Sequence, residues 1–199
     1  MVTVGGDAAA VERRLVAGQL VCPGCSGVLA GWGHARVRRV RGLDGVLPAR
    51  PRRARCTVCG VTHVLLSAAL LLRRADAVVV IGAALSAKAA GVGFRRIAAG
   101  LGRPSETVRG WLRRFAGRVE AVRRLFTVLL RAVAPDPVMP GPAGGVWADA
   151  LAAVSAAVAA VVARFGVLGV PSWLWVSAIC GGRLLAPGWP GKWINTNWP

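Results

Sequence analysis

Cys22-Pro-Gly-Cys25 and Cys56-Thr-Val-Cys59 are the residues of this chain whose type and spacing most directly do chemistry. A Cys-x-x-Cys pair sets two thiolates on one tight turn. Two such turns brought together supply the four sulfurs of a closed tetrahedral zinc site. Gly27 and Gly60 follow the pairs by two residues and by one, and glycine there admits the positive φ that turns backbone amides toward the sulfurs. The competing reading is reduced core cysteines or a redox pair, and two matched pairs in one small basic module argue against it. His34 and His63 could each replace a sulfur, but four Cys already fill the tetrahedron, so the histidines belong at the surface or behind the ligands. Four protein ligands leave no open position for a catalytic water, so the implied cofactor is a structural Zn2+. Cys180 stands alone in an apolar stretch and reads as a small buried hydrophobe.

A second constellation lies in FRRIAAGLGRPSETVRGWLRRF, from Phe94 to Phe115. Ile97, Leu101, Val108 and Trp111 have the spacing of apolar contacts between two short helices, Ala98 is small where they cross, and Gly102 sits in the turn. This is the pattern of a DNA-binding helix-turn-helix. Arg103 stands where an apolar residue is common. Pro104 and Ser105 start the second helix, with Ser105 as N-cap and Glu106 favourable on the helix dipole. Val108, Trp111, Leu112 and Phe115 form an apolar stripe, which leaves Glu106, Arg109, Gly110 and Arg113 on the opposite face. A recognition helix reads bases near its N-terminus. Arg109 and Arg113 suit guanine edges, and Glu106 suits cytosine. Thr107, Arg114, Arg95 and Arg96 suit backbone phosphates, so the expected contact set is Arg95, Arg96, Arg103, Ser105, Glu106, Thr107, Arg109, Arg113 and Arg114. The bland alternative is a helical hairpin used for packing or protein contacts.

The charge favours the first of these. The 199 residues carry a net charge of +18, which implies a polyanionic partner, most simply DNA or RNA; with the helix-turn-helix pattern the expected partner is double-stranded DNA. Only Lys88 and Lys192 among the basic residues are Lys. That bias matches a high-GC bacterial genome, whereas the scarcity of acids does not follow from it. Arg36, Arg38, Arg39, Arg41, Arg50, Arg52, Arg53 and Arg55 cluster between the cysteine pairs, either as a phosphate grip or as a solvated basic face.

The elements that must position these groups follow from the rest of the chain. The fold class expected is mainly α with a small β zinc ribbon. Residues 1–19 read as a tail or short helix and 20–66 as the zinc-ribbon module, whose middle is a β-ribbon with an Asp44-Gly45 turn signal. Residues 67–134 read as the helix-turn-helix domain and 135–145 as a Pro/Gly linker. Residues 146–199 read as a C-terminal helical segment, Ala-rich at first, with an irregular tail from Pro187. The helix of RVEAVRRLFTVLLRAVA suits packing or a homodimer. The uninterrupted apolar run Ala150–Ala163 is 14 residues long, short of the roughly 20 that a membrane span needs, so a buried helix is the better reading. The N-terminus lacks a secretory pattern, and cysteines in metal spacing fit a reducing cytosol, so a cytoplasmic, nucleoid-associated protein is expected.

The order CPGCSG, RVRGLDG, RRARCTVCGVTHVLL and RRIAAGLGRPSETVRGWLRRF, from about Val21 to Phe115, resembles a family of high-GC bacterial proteins known as domain of unknown function 6431. The ribbon half is also similar to the N-terminal metal-binding module of some insertion-element transposases. Members of the family often lie beside transposase or integrase genes. The resemblance implies a DNA-binding accessory or regulator of a transposable element, with zinc on the four Cys and a transposase or integrase as a possible partner. An ordinary transcriptional regulator with a C-terminal dimerisation helix is the alternative, and a membrane-associated protein a lesser one. No small-molecule substrate is implied. An enzyme is disfavoured, because a two-metal nuclease needs three acids in one core, and Asp7, Glu12, Asp44, Asp76, Glu106, Glu120, Asp136 and Asp149 are scattered through other contexts.

Overall fold

Short strands with one face inward and apolar stripes at helical spacing build two different units from this chain. The computed structural model describes residues 1–189 and Asn197. Within them the chain is mixed α/β, with seven helices and two small sheets, so strands weigh more than the mainly α expectation allowed. The chain divides into Met1–Val79 together with Trp173–Pro199, and Val80–Ser172. Of the irregular tail expected from Pro187, residues 190–196, 198 and 199 lie outside the described residues.

In the first unit, β1 (Val2–Val4), β2 (Leu29–His34), β5 (Arg52–Cys56) and β6 (Thr62–Ser67) form a four-stranded sheet in the order β1-β6-β5-β2. β1 runs parallel to β6, and the other pairs are antiparallel. Alternation along β5 sends Ala54 and Cys56 inward and leaves Arg55 outside. The expected tail is therefore structured. It supplies β1 and also α1 (Ala8–Val16), whose N-cap Asp7 accepts the Ala9 N–H at 2.9 Å. Val2, Val4, Val11 and Leu15 join Leu20, Cys22, Leu29, Ala54, Cys56 and Leu65 in one apolar cluster. Two metal-type cysteines are thus part of the core itself.

The segment between the cysteine pairs is not one continuous ribbon. β3 (Arg38–Arg41) and β4 (Val46–Ala49) pair as a separate two-stranded hairpin, closed where the Gly42 N–H donates to Gly45 O at 2.7 Å. Asp44 and Gly45 lie in that turn, as their sequence suggested. Pro51 interrupts the return, and the Ala35 N–H to Pro51 O bond links the two tiers there at 2.8 Å. The hairpin is fastened instead by Arg41. Its guanidinium makes a bidentate pair with the buried Asp76 at 3.0 and 2.7 Å, and its backbone bonds to Ala75 and Ala77. α7 (Ser172–Ile179), from Trp173 on, and the turns after it complete this unit. Gly182, at φ +68°, lies so close to the sheet that a Cβ there would sit 3.0 Å from the Thr3 hydroxyl and 3.2 Å from Leu66. The Leu72 N–H donates to its carbonyl at 2.8 Å.

The second unit is helical: α2 (Val78–Ala89) from Val80 on, α3 (Phe94–Gly100), α4 (Ser105–Ala116), α5 (Val119–Val133) and α6 (Val146–Phe165). α5 buries Val122, Phe126 and Leu130, four residues apart. α6 buries Ala150, Ala153, Val154 and Ala157, small side chains that let it lie close along α5. Trp147 at its start stacks on Phe115 with ring centroids 4.9 Å apart. Residues 135–145 contain no helix or strand, and Arg164 closes α5 by donating to Val133 O at 2.8 Å. The 14-residue apolar run is only the middle of α6. The helix has 20 residues, long and apolar enough to cross a membrane, and 22% of its most apolar stretch is buried. Residues 146–199 are therefore not one module: α6 belongs to the helical unit, and the chain from Trp173 returns to the sheet.

Candidate metal centre and basic surfaces

The two cysteine turns are built alike. In the first, the Ser26 N–H donates to Cys22 O at 2.8 Å and the Cys22 N–H to Gly27 O at 2.8 Å. In the second, the Gly60 N–H donates to Cys56 O at 3.1 Å and the Cys56 N–H to Val61 O at 2.9 Å. Matching positions are therefore Ser26 with Gly60 and Gly27 with Val61. Both members of the first pair are left-handed, at φ 58° for Ser26 and 71° for Gly60. The expectation of a positive φ thus holds at Gly60 but not at Gly27, because the bend falls one residue earlier. Gly27 is needed for space: a Cβ there would lie 2.7 Å from Val58 Cγ2 and 3.0 Å from Cys56 Sγ. The two turns close on each other at that point.

The closure brings the Sγ atoms of Cys22, Cys25, Cys56 and Cys59 within 4.8 Å of one another. Cys22 and Cys59 sulfurs are 3.8 Å apart, and those of Cys25 and Cys56 are 3.4 Å apart. A tetrahedron with metal–sulfur bonds of about 2.3 Å has edges of roughly 3.8 Å, so the cluster could hold a metal ion such as zinc. The Val58 and Cys59 amides point at Cys56 Sγ, at 3.4 and 3.5 Å. The Cys59 amide and then that of Val58 are the chief causes that bring the Cys56 thiol down to about 6. Cys59 is lowered by the Val61 amide, but hydrogens shared with Cys25, Cys56 and Cys22 outweigh it and push Cys59 up to about 12. Without a cation, then, the cluster keeps some of its protons; a divalent metal displaces them. Cys22 and Cys56 are buried, while Cys25 and Cys59 reach the surface.

His63 stands behind the cluster and does not replace a ligand. Its Nε2 lies 3.4 Å from Cys22 Sγ, and burial lowers its pKa. In the Nε2-protonated tautomer it donates to the sulfur, the second layer that orients a thiolate. Asn197 adds an anchor on the other side. Its carboxamide accepts from the Val21 N–H at 2.8 Å and donates to Val21 O at 3.1 Å, beside the first ligand. Arg14 donates to the Asn197 carbonyl at 2.8 Å. Nothing in the local sequence marks either role, since both join residues far apart in the chain. Cys180 is buried, and burial raises its thiol pKa.

The basic residues divide into those engaged in the fold and those facing outward. Arg41 holds Asp76. Arg52 holds Glu12 at 2.9 and 3.0 Å and also donates to Gly33 O at 2.8 Å, and its hydrogen bonds lower the Glu12 pKa. These two are fasteners, not part of a free phosphate grip. Arg36, Arg38, Arg39 and Arg50 are exposed.

In the helical unit, α3 and α4 pack through Ile97, Ala98, Val108, Trp111, Leu112 and Phe115, all buried. Gly102 turns between them at φ 58°, and the Arg103 N–H returns to Ala98 O at 2.9 Å. Ser105 is the first residue of α4, not its cap. Pro104 takes the cap position at φ −56°, ψ 135°, with no side-chain bond, and its carbonyl accepts from the Thr107 and Val108 amides. Glu106 and Arg109, both exposed, pair at 3.6 Å. The Arg95 and Arg109 guanidiniums lie 5.7 and 5.9 Å from the Phe94 ring centre, a shared cation–π seat that the sequence reading missed. Arg96, Ser105 and Arg113 are exposed, and Thr107 is half-buried. Two residues of the expected contact set turn inward: Arg103 donates to Leu101 O and Gly102 O, and Arg114 donates to Gly110 O at 2.9 Å.

Fold and site together define a mixed α/β chain with a four-cysteine centre able to hold a metal ion. Comparison with protein-family models, with curated proteins and with solved structures finds no match to it.

Proposed function

We propose that α3 and α4 form a helix-turn-helix that binds double-stranded DNA, with a structural zinc ion on Cys22, Cys25, Cys56 and Cys59 holding the sheet of the other unit in shape. One observation carries this reading. The apolar stripe of α4 is buried on its own unit, while Glu106, Arg109 and Arg113, spaced three and four residues apart, face outward together on one side. Among the described residues Arg96 and Arg113 have no hydrogen-bond or ion-pair partner, which leaves them available for phosphate or base edges. Arg95, Arg96, Ser105 and Thr107 flank that face as phosphate contacts. Arg103 and Arg114 drop to a supporting role, because their guanidiniums already serve backbone carbonyls.

The resemblance to domain of unknown function 6431 supports service to a transposable element, beside a transposase or integrase. In that service the protein acts as a non-enzymatic, nucleoid-associated regulator, dimeric on its half-sites. The test is selection from a pool of random duplexes. Arg109→Ala should relax base preference at one position, costing about 1–3 kcal/mol there. A uniform loss across all sequences would mark Arg109 as a phosphate contact and remove it from the reading face.

The length and partial exposure of α6 favour a second reading, membrane association. Release of the protein from membranes by salt alone contradicts it; retention until detergent is added supports it.

A further inference from the structure

Trp32 sits on the exposed face of the sheet with half of its surface accessible to solvent, unusual for so large an apolar ring. The backbone around it is built to hold it there. It lies between Gly31 and Gly33, at a break in the β2–β5 register between Gly31 and His34, and Gly33 adopts φ +78°. A bulge of this kind re-aims a side chain. Arg52 fixes the bulge by donating to Gly33 O while it grips Glu12, and its guanidinium passes so near Gly31 that a Cβ there would meet it at 2.7 Å. On the neighbouring strand, Arg55 is pinned by its bond to Gly60 O at 3.1 Å and stands 5.0 Å from the Trp32 ring centre. Strand alternation puts Arg53 on the same face as Arg55, with Thr62 and Val64 opposite them on β6.

We infer that this face is a stacking platform for single-stranded DNA, with Trp32 and Arg55 receiving an unpaired base and Arg53, on the same face, holding a phosphate. The chemistry selects the occupant. An aromatic ring with a guanidinium stacked beside it, on a β-sheet rich in Arg, suits bases freed from a duplex. A base inside a duplex presents only its edges. The two guanidiniums on this face, Arg53 and Arg55, favour a polyanion over a neutral protein surface. Its residues belong to the sheet unit and α3 and α4 to the helical unit, and its assignment does not depend on duplex binding by those helices.

The experiment is a binding titration of the full-length, zinc-loaded protein with a fluorescent oligothymidylate of about 12 nucleotides, an RNA oligouridylate of equal length, and a duplex of random sequence. Trp32→Ala should weaken oligothymidylate binding about tenfold and leave duplex binding and metal content per chain unchanged. Trp32→Phe should stay near wild type. Arg109→Ala should leave oligothymidylate binding intact, so failure of the duplex reading would show as an Arg109-independent protein that still needs Trp32. Unchanged oligothymidylate affinity in Trp32→Ala overturns the platform, as does an equal loss for single strand and duplex. Tighter binding of oligouridylate than of oligothymidylate overturns the assignment to DNA. Should Trp32→Ala lose metal, Trp32→Leu, which keeps an apolar side chain and removes the stack, decides by the same criteria.

Discussion

The two units hold themselves together by different means. The sheet unit has short strands, a core cluster of mostly Val and Leu, and two of its four clustered sulfurs inside that core. The helical unit buries the aromatic rings of Trp111, Phe115 and Phe126 along stripes on α4 and α5. A metal ion on the four thiols would crosslink the two cysteine turns of the sheet unit, whereas the helical unit is held by buried aromatic and aliphatic side chains along its helices. What this teaches is where to look for the difference: a metal crosslink would add to apolar burial in the sheet unit, while the helical unit has apolar burial along its helices.

Removing the metal site should separate the units most sharply. Cys56→Ser is expected to abolish metal binding and cost the sheet unit on the order of 10 kcal/mol, while helical circular dichroism persists. Retained metal stoichiometry would break the assignment of the site. The reciprocal change is Phe126→Ala, expected to cost about 3–5 kcal/mol in the helical unit, with zinc content per chain unaltered. Next comes the closure of the cysteine turns. Gly27→Ala drives a methyl into Val58 and Cys56 Sγ and should cost about 1–3 kcal/mol and loosen the metal. Ser26→Gly, at the left-handed position its counterpart Gly60 already fills with glycine, should move stability about 1 kcal/mol the other way. Calorimetry of the two variants would show the opposite signs, and shifts of the same sign would undo the equivalence of the turns.

The smallest effect is electrostatic and belongs to the helical unit. Glu120 accepts from Arg123 and Arg124 on α5, and those bonds hold its carboxyl down at about 2, against an ordinary 4.5. A carboxylate depressed on folding contributes stability above its unfolded pKa and loses it as pH falls toward its folded one. Acid should therefore weaken the helical unit slightly between about pH 4.5 and pH 2. Glu120→Gln should flatten that slope, and an unchanged acid profile would remove the pair from the account. The group is exposed, so salt should diminish the effect.

What the sequence made legible was local. The Cys-x-x-Cys pairs, the α4 stripe, the Gly102 turn and the Asp44-Gly45 hairpin all declare themselves within a few residues. What it hid was pairing at a distance. Arg41 looks like one of eight similar arginines until Asp76 is found beneath it, and Arg52 does too until Glu12 is found. Three residues of β1 are too few to show alternation, and nothing near Trp173 announces a return to the sheet. Gly27 was singled out for its freedom of φ, and its actual requirement, the approach of Val58, comes from the other turn. A Gly-Trp-Gly triplet inside a strand was the available sign of the Trp32 bulge.

The measurement that bears most directly on the central claim is affinity selection of fragmented genomic DNA on the zinc-loaded protein, sequenced at two salt concentrations, with an Arg109→Ala/Arg113→Ala variant in parallel. A reader of duplex DNA yields salt-resistant peaks sharing a short motif, at mobile-element ends or promoters, and the variant loses them. Diffuse recovery that disappears with salt and is the same in both proteins would contradict the reading, leaving only an electrostatic grip.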